Sequence, residues 1–152
     1  MPESYMIYLY LKQIIKNITG ISATYNDIES NKQNVISVNV TSPTAGTKRQ
    51  LATGASLKRT AFVTIIYHSN KDKAGILKTD SDMEKMRDIF ETTHNKFVYF
   101  KGTEISDKSD FDVYLSIGQT DLMSDIINLG KNEFEIPRKS IRIKINYTKG
   151  GN

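Results

Sequence analysis

Side chains suited to acid-base or nucleophilic chemistry are few in this sequence. It contains no cysteine and two histidines, His68 and His94, which fall at the predicted ends of a strand and of a helix. Neither histidine has neighbours at the spacing of metal ligands or of a catalytic pair. The lack of cysteine excludes a disulfide framework, a thiolate zinc site and a cysteine nucleophile. We therefore expect no cofactor, and we interpret His68 as a residue at the edge of the fold.

Two groups of carboxylates have the oxygen-rich character that hard cations prefer. The groups are Asp80, Asp82 and Glu84, and Asp107, Asp110 and Asp112. Both lack the glycine turn and the distal bidentate acid of a calcium loop, and helix capping explains the first group without a metal. A metal-dependent hydrolase or nuclease that uses the second group is the enzymatic alternative. Our preferred interpretation is that the protein is not an enzyme and holds no metal.

Positive charge concentrates around a polar segment, residues 41–58, that is rich in Ser, Thr, Gly and Ala. This composition predicts a long loop or an extended hairpin arm. Cations there can meet phosphates by counterion release, but contact with a protein fits equally well. The residues predicted to contact a partner are Lys48, Arg49, Leu51, Leu57, Lys58 and Arg59.

Charge is unevenly distributed along the chain. Residues 1–76 carry nine Lys or Arg against four Asp or Glu, whereas residues 104–135 carry eight acids against two lysines. Residues 138–149 are again purely basic. Surfaces of opposite charge can steer copies of one chain together head to tail, although scattered solvated charge is the simpler explanation.

Hydrophobic periodicity predicts two main helices and a possible third. Apolar residues spaced by three and four define a helix over Glu3–Ile18, with Gly20 as its left-handed cap. A second helix is predicted to open at Thr79 and Asp82, which are spaced as a capping box. The predicted buried stripe of this second helix is Met83, Met86, Ile89 and Phe90. Residues 121–129 predict a further short helix, ended by Gly130.

Alternating apolar residues predict the strands. The predicted strands are residues 34–40, 60–67, 97–100, 111–117 and 141–147. The second of these is apolar on both sides and predicts a central strand covered on two faces. The third and fourth predict a hairpin.

The order of elements predicts an α+β fold, a small mostly antiparallel β-sheet packed against two main α-helices, with the long loop or hairpin arm at 41–58. At 152 residues, we expect a single domain over residues 1–152. The start of the sequence lacks a basic stretch before its apolar run, and charged residues interrupt that run. We therefore expect neither a signal peptide nor a membrane span.

This pattern resembles the tail terminator family of long-tailed bacteriophages, also described as minor capsid or tail completion proteins. The resemblance rests on the helix Tyr5–Ile18, the strand Phe62–Tyr67, the helix Asp80–Thr93 and the last strand Ile141–Tyr147. It covers nearly the whole chain, but as order and length rather than as a diagnostic motif. The acidic segment 121–135 departs from the family's basic pattern.

The resemblance implies a structural virion protein in the tail or neck, assembled in the bacterial host cytoplasm for head-tail joining. In that family a homo-oligomeric ring, generally a hexamer, caps the tail tube and meets the head connector. The implied partners are copies of the chain, the tail tube protein, the sheath where one exists, and head connector or neck proteins. DNA would pass through the lumen. The alternative is a head-tail connector or neck protein that contacts DNA through the basic loop.

Overall fold

The described strands of this protein lie in one sheet, and two helices lie against it. The computed structural model describes residues 2–41, 44–45, 57–92, 96–100 and 113–151. The helices are α1 (Glu3–Thr19) and α2 (Lys73–Phe90). The strands are β1 (Thr24–Tyr25), β2 (Val35–Val40), β3 (Thr44–Ala45), β4 (Leu57–His68), β5 (Lys96–Phe100), β6 (Val113–Leu122), β7 (Ile127–Lys131) and β8 (Pro137–Gly151).

The sheet is mostly antiparallel and is organised around β8. Its main path runs β1-β2-β4-β8-β6-β5, while β3 pairs with β4 and β7 pairs with β8. Only β1 and β2 pair in parallel among the described strands. The predicted α+β fold is therefore confirmed, as are the β5–β6 hairpin and the last strand. The base of the predicted arm is a short antiparallel pair between β3 and residues 59–60 of β4.

Helix α1 follows the predicted boundaries. Gly20 caps it with a φ of 77°, and its backbone N–H donates to the carbonyl of Lys16 at 2.9 Å. Ile7, Leu11 and Ile15 are fully buried, in agreement with the predicted stripe. Tyr10, which the same pattern places beside this stripe, is also buried. The buried set further includes Met6 and Tyr8, which were not predicted, whereas the predicted Ile14 and Ile18 are half-buried.

Helix α2 begins at Lys73, earlier than predicted. Asp72 is its N-cap, and the Asp72 carboxylate accepts a hydrogen bond from the Gly75 backbone N–H at 2.6 Å. This pairing satisfies one of the free donors of the first turn. Gly75 is required there, because a Cβ at this position would collide with Asn70.

The predicted capping box at Thr79 and Asp82 is therefore wrong. Both residues lie inside α2 and are buried, at 2% and 4% exposure. The charged residues before position 79 are typical of a polar loop, but the solvent-exposed side of a helix has the same composition, so composition cannot distinguish the two. The predicted stripe of α2 is confirmed in Met83, Met86 and Phe90.

The helices cover one side of the sheet, which we term the covered face. There the odd-numbered residues 61–67 of β4 and 141–147 of β8 pack with α1 and α2 in one apolar core. The sheet residues of this core include Ala61, Val63, Ile65, Tyr67, Ile141, Ile143, Ile145 and Tyr147. The even-numbered residues point to the opposite side, where Phe62 is 39% exposed and Thr64 and Ile66 are half-buried. The prediction that 60–67 is covered on two faces is therefore wrong for the described chain.

The predicted short helix over 121–129 is also wrong. Strand β6 continues to Leu122, and β7 returns beside β8 after a turn. Asp125 accepts from the Ile126 N–H at 2.7 Å and Asn128 from the Gly130 N–H at 2.9 Å, as such residues do in turns. Gly130, with a φ of 73°, lies at a register shift in β7.

Candidate assembly surface

The side of the sheet away from the helices presents an aromatic residue among cations. We define the open face as eight side chains of β4 and β8. They are Lys58, Thr60, Phe62, Thr64, Arg142, Lys144, Asn146 and Thr148. These residues pair across the two strands, with Phe62 opposite Lys144 and Thr64 opposite Arg142. Thr60 donates to Asn146 at 2.9 Å, which fixes one end of the face.

The open face is positively charged. It carries Lys58, Arg142 and Lys144, and the neighbouring β6 contributes Asp121, which pairs opposite Lys144. Three cations and one carboxylate give +2. Phe62 lies between these cations with 39% of its surface exposed. An exposed aromatic side chain surrounded by charged residues is characteristic of contact surfaces. Burying the aromatic side chain in a contact gains more free energy than burying any of the polar residues around it.

A shallow groove of about 380 Å³ crosses one end of the open face. Its side chains are mostly hydroxyl and amide groups. They are Lys58, Thr60, Ser116, Asn146 and Thr148, and Gly118 and the flanking residues Arg59 and Tyr147 complete the lining. Such a groove offers hydrogen-bond donors and acceptors rather than an apolar pocket.

The predicted contact residues separate in the structure. Lys58 is exposed on the open face, whereas Arg59 points to the covered face and forms an ion pair with Glu3 at 3.0 Å. Tyr147 also donates to Glu3 at 3.0 Å, so these contacts hold the first turn of α1 on the sheet. Burial, followed by the charge of Glu3, raises the pKa of Tyr147 well above its usual range.

Of the other predicted contact residues, the backbone of Leu57 alone lies within the described part of the chain. Leu57 pairs with Lys149 through the backbone. Lys48, Arg49 and Leu51 lie outside the described residues. The alternation of residues 141–147 predicts that Arg142 and Lys144 face away from the isoleucines, and the structure agrees, but the predicted contact residues do not include these two cations. Phe62 was missed as a surface residue, because apolar residues on both sides of its strand predict burial.

A second surface lies beside the end of α2 and has the opposite charge. We define the acidic hollow as the depression of about 460 Å³ lined by Arg87, Asp88, Glu91 and residues 122–125. Three of its side chains are carboxylates, including Asp125, and one is a guanidinium. Met123 is 53% exposed at this hollow.

One arginine is shared between two acids of the acidic hollow. Arg87 lies 3.4 Å from Asp125 and 3.8 Å from Asp88, and both acidic side chains are more than 70% exposed. The N–H of Ile126 and then Arg87 lower the pKa of Asp125, while the bond to Asp125 raises the pKa of Arg87. Because these pairs are long and solvated, the carboxylates remain open to another cation.

A buried polar network joins α2 to the sheet. Lys78 donates to Asp82 at 2.7 Å, to the Tyr67 hydroxyl at 3.2 Å and to the Thr19 carbonyl at 3.1 Å. Tyr67 donates to Asp82 at 2.9 Å. Burial raises the pKa of Tyr67. Burial lowers the pKa of Lys78, but the hydrogen bonds and charges of Asp82 and Tyr67 together raise it above its usual value. A lysine or tyrosine that acts as a base or nucleophile at neutral pH needs a lowered pKa, so these raised values fit a network that holds α2 on the sheet.

The remaining candidate groups make structural contacts where they are described. Asp80 forms an ion pair with Lys139 of β8. His68 is not an edge residue: it is 5% exposed and its Nδ1 donates to the Lys32 carbonyl at 3.2 Å. No group of three or more potential metal ligands occurs within the described ranges. His94, Asp107, Asp110 and Asp112 fall outside those ranges.

In the part of the chain that is described, neither helix has the length and apolar character needed to cross a membrane. The chain matches no protein-family model, and it matches no curated protein.

Proposed function

We propose that this chain is a structural virion protein, a subunit of the tail terminator ring that caps the tail tube and joins the tail to the head connector. The fold and the order of its elements support this proposal. The observation that carries it is the pair of separate, oppositely charged surfaces: the open face with Phe62 and the acidic hollow beside α2. Such surfaces suit a protein that acts by shape and charge rather than by catalysis.

The edges of the sheet add to this argument. Strands β1 and β5 end the main path of the sheet, and all five residues of β7 are exposed. Unpaired strand edges invite pairing with another chain, and assembly covers them. Ile127, Leu129 and Phe134 near β7 are 37%, 38% and 45% exposed, which extends the apolar surface available to neighbouring subunits.

In this proposal the protein acts in the tail or neck of the virion and is assembled in the cytoplasm of the bacterial host. Its partners are further copies of the chain in a ring, together with the tube protein and head connector or neck proteins. The ring surrounds the path of the DNA. Its expected stoichiometry is six, by resemblance to the tail terminator family.

The native mass of the purified chain tests the proposal. Native mass spectrometry over a range of concentrations should give one discrete closed oligomer, expected to be a hexamer, and negative-stain images should show rings with a lumen. A closed ring hides the same surfaces in every subunit and therefore stops growing. A chain that remains monomeric at every concentration would contradict the proposal.

A second function, contact with DNA as a connector or neck protein, is favoured by Phe62 among Lys58, Arg142 and Lys144. Cations release counterions from phosphates, and an aromatic ring can stack on a base. Duplex DNA binding measured by fluorescence anisotropy should then weaken steeply with salt. Arg142→Glu with Lys144→Glu should reduce the salt slope by about two, whereas Lys71→Glu with Lys73→Glu should not. No binding at low salt eliminates this alternative.

A further inference from the structure

The two oppositely charged surfaces belong to different sides of the molecule. The open face consists of even-numbered residues of β4 and β8, whereas the acidic hollow includes Arg87, Asp88 and Glu91 at the end of α2. Helix α2 packs on the covered face. One subunit can therefore use both surfaces at the same time, with a different neighbour at each.

We propose that these surfaces bind each other: Phe62, Arg142 and Lys144 of one copy enter the acidic hollow of the next copy. This inference rests on the proposed function, because it names the contact through which the ring would form. The occupant of the hollow is a second copy of this chain, and the contact is head to tail.

Charge complementarity is the first argument for this pairing. The hollow contains Asp88, Glu91 and Asp125 against Arg87, which is −2, and the open face with Asp121 is +2. Contact between two open faces would instead place like charges together, which is unfavourable. The sign of the charges therefore selects the pairing of unlike surfaces.

Apolar contact and size are the second argument. The hollow measures about 460 Å³, and a cavity of about 150 Å³ is large enough for a benzene ring. Leu122 and Met123 line it, and Met123 is 53% exposed. The phenyl ring of Phe62 can contact these two side chains while Arg142 and Lys144 approach the carboxylates. An aromatic anchor surrounded by charged contacts is a common arrangement in interfaces.

The consequence for assembly follows from symmetry. Because the two surfaces differ, each contact leaves one surface of each kind unoccupied until the series of subunits closes into a ring. A self-complementary contact would have produced a dimer and stopped.

Charge reversal in two separate variants tests the pairing. The first variant is Arg142→Glu with Lys144→Glu, and the second is Asp88→Lys with Glu91→Lys. Each variant then carries two surfaces of the same sign, so self-association should fall at least about tenfold. Mixed in equal amounts, the variants regain unlike surfaces at every contact, and oligomers containing both chains should return.

Matched controls separate this effect from net charge. The control for the first variant is Lys71→Glu with Lys73→Glu, which makes the same change in net charge. The control for the second variant is Asp27→Lys with Glu29→Lys. All four control positions are exposed. Both controls should assemble like the wild type. If the charge-reversed variants also assemble like the wild type, or if mixing them fails to restore oligomers, the proposed contact between the open face and the acidic hollow is wrong. The proposed function is not contradicted by that result, because the wild type still forms a ring. A monomeric wild type overturns the pairing together with the proposed function.

Cross-linking gives a geometric test that does not depend on charge. Because the chain contains no cysteine, Phe62→Cys and Met123→Cys can be mixed as two single-cysteine proteins. Under mild oxidation they should form the mixed 62–123 disulfide dimer in preference to either homodimer. Leu77→Cys, at a position of α2 that is 57% exposed and does not line the acidic hollow, is the matched control for Met123 and should not cross-link with position 62. Equal cross-linking at 77 and 123 would contradict the contact.

Discussion

Neighbouring residues of β4 belong to two regions that differ in composition and burial. On the covered face Val63 and Ile65 are at most 2% exposed and meet the helices, whereas on the open face Phe62 is 39% exposed between cations. The first region determines whether the chain folds, because burying apolar surface is the main favourable term in folding. The second region is free to serve contacts with other molecules. A comparison of substitutions on the two faces can therefore separate folding from assembly.

The largest effect is expected on the covered face. Ile65→Ala should lower the free energy of unfolding by about 2–5 kcal/mol, because it leaves a cavity in a fully buried site. Chemical denaturation monitored by circular dichroism measures this change. Thr64→Ala, on the same strand but half-buried on the open face, is the control and should change stability far less. Similar losses at 64 and 65 would remove the distinction between the faces.

A smaller loss is expected from the polar network beneath α2. Asp82→Ala should cost about 1–3 kcal/mol of unfolding free energy, because Tyr67 and Lys78 lose their shared acceptor. Lys78 is nearly half exposed, which limits the loss. Asp88→Ala, an exposed acid of the same helix, should remain within about 0.5 kcal/mol. Equal effects at 82 and 88 would show that the network contributes little.

His68 should make stability depend on pH. Burial lowers its pKa in the folded protein, as does the charge of Arg138, against the opposing bond to the Lys32 carbonyl. As pH falls below the ordinary value of 6.5, the unfolded chain gains the proton first, so the free energy of unfolding decreases. Denaturation of wild type and His68→Gln between pH 8 and about 5 measures the difference. A wild-type slope identical to that of the variant would contradict this prediction.

The smallest effect on stability is expected at the centre of the open face. Phe62→Ser should lower the free energy of unfolding by about 1 kcal/mol, because the loss is limited to cross-strand contact and strand propensity and no described helix packs on this side. The same variant should weaken self-association, since the aromatic anchor is removed. Denaturation and native mass on one preparation test both statements. A large stability loss would place Phe62 in the core of the monomer.

The sequence predicted elements whose period was long and regular. Helix α1, strand β2, the β5–β6 hairpin and the alternation of Ile141, Ile143 and Ile145 agree with the structure. The two-residue strands β1 and β3 are too short to produce a period. Leu122, Met123 and Ile126 have helical spacing, which is why residues 121–129 predict a helix. Pairing with β8 determines the actual structure there, and that pairing joins residues far apart in sequence.

The candidate site was less predictable than the fold. Apolar residues on both sides of a strand indicate burial, but a strand that buries one side in a contact between subunits has the same sequence pattern. Phe62 was therefore assigned to the core. Lys58 and Arg59 were grouped because they are adjacent, although the period of a strand sends neighbours to opposite faces. That period alone separates Lys58 from Arg59, and the structure adds that Arg59 lies beside Glu3.

The central position of β8 also bears on how the protein is made. Strands β4 and β6 lie on either side of β8, so neither can complete its pairing on that side until residues 137–151 have left the ribosome. Until then, nascent chains present two long unpaired strand edges to one another, a condition that promotes misassociation. We expect refolding to be slow for a chain of this size, because its main pairings span large sequence separations. Chaperones that hold the nascent chain during translation would then affect the yield of folded protein more than the stability of the finished subunit does.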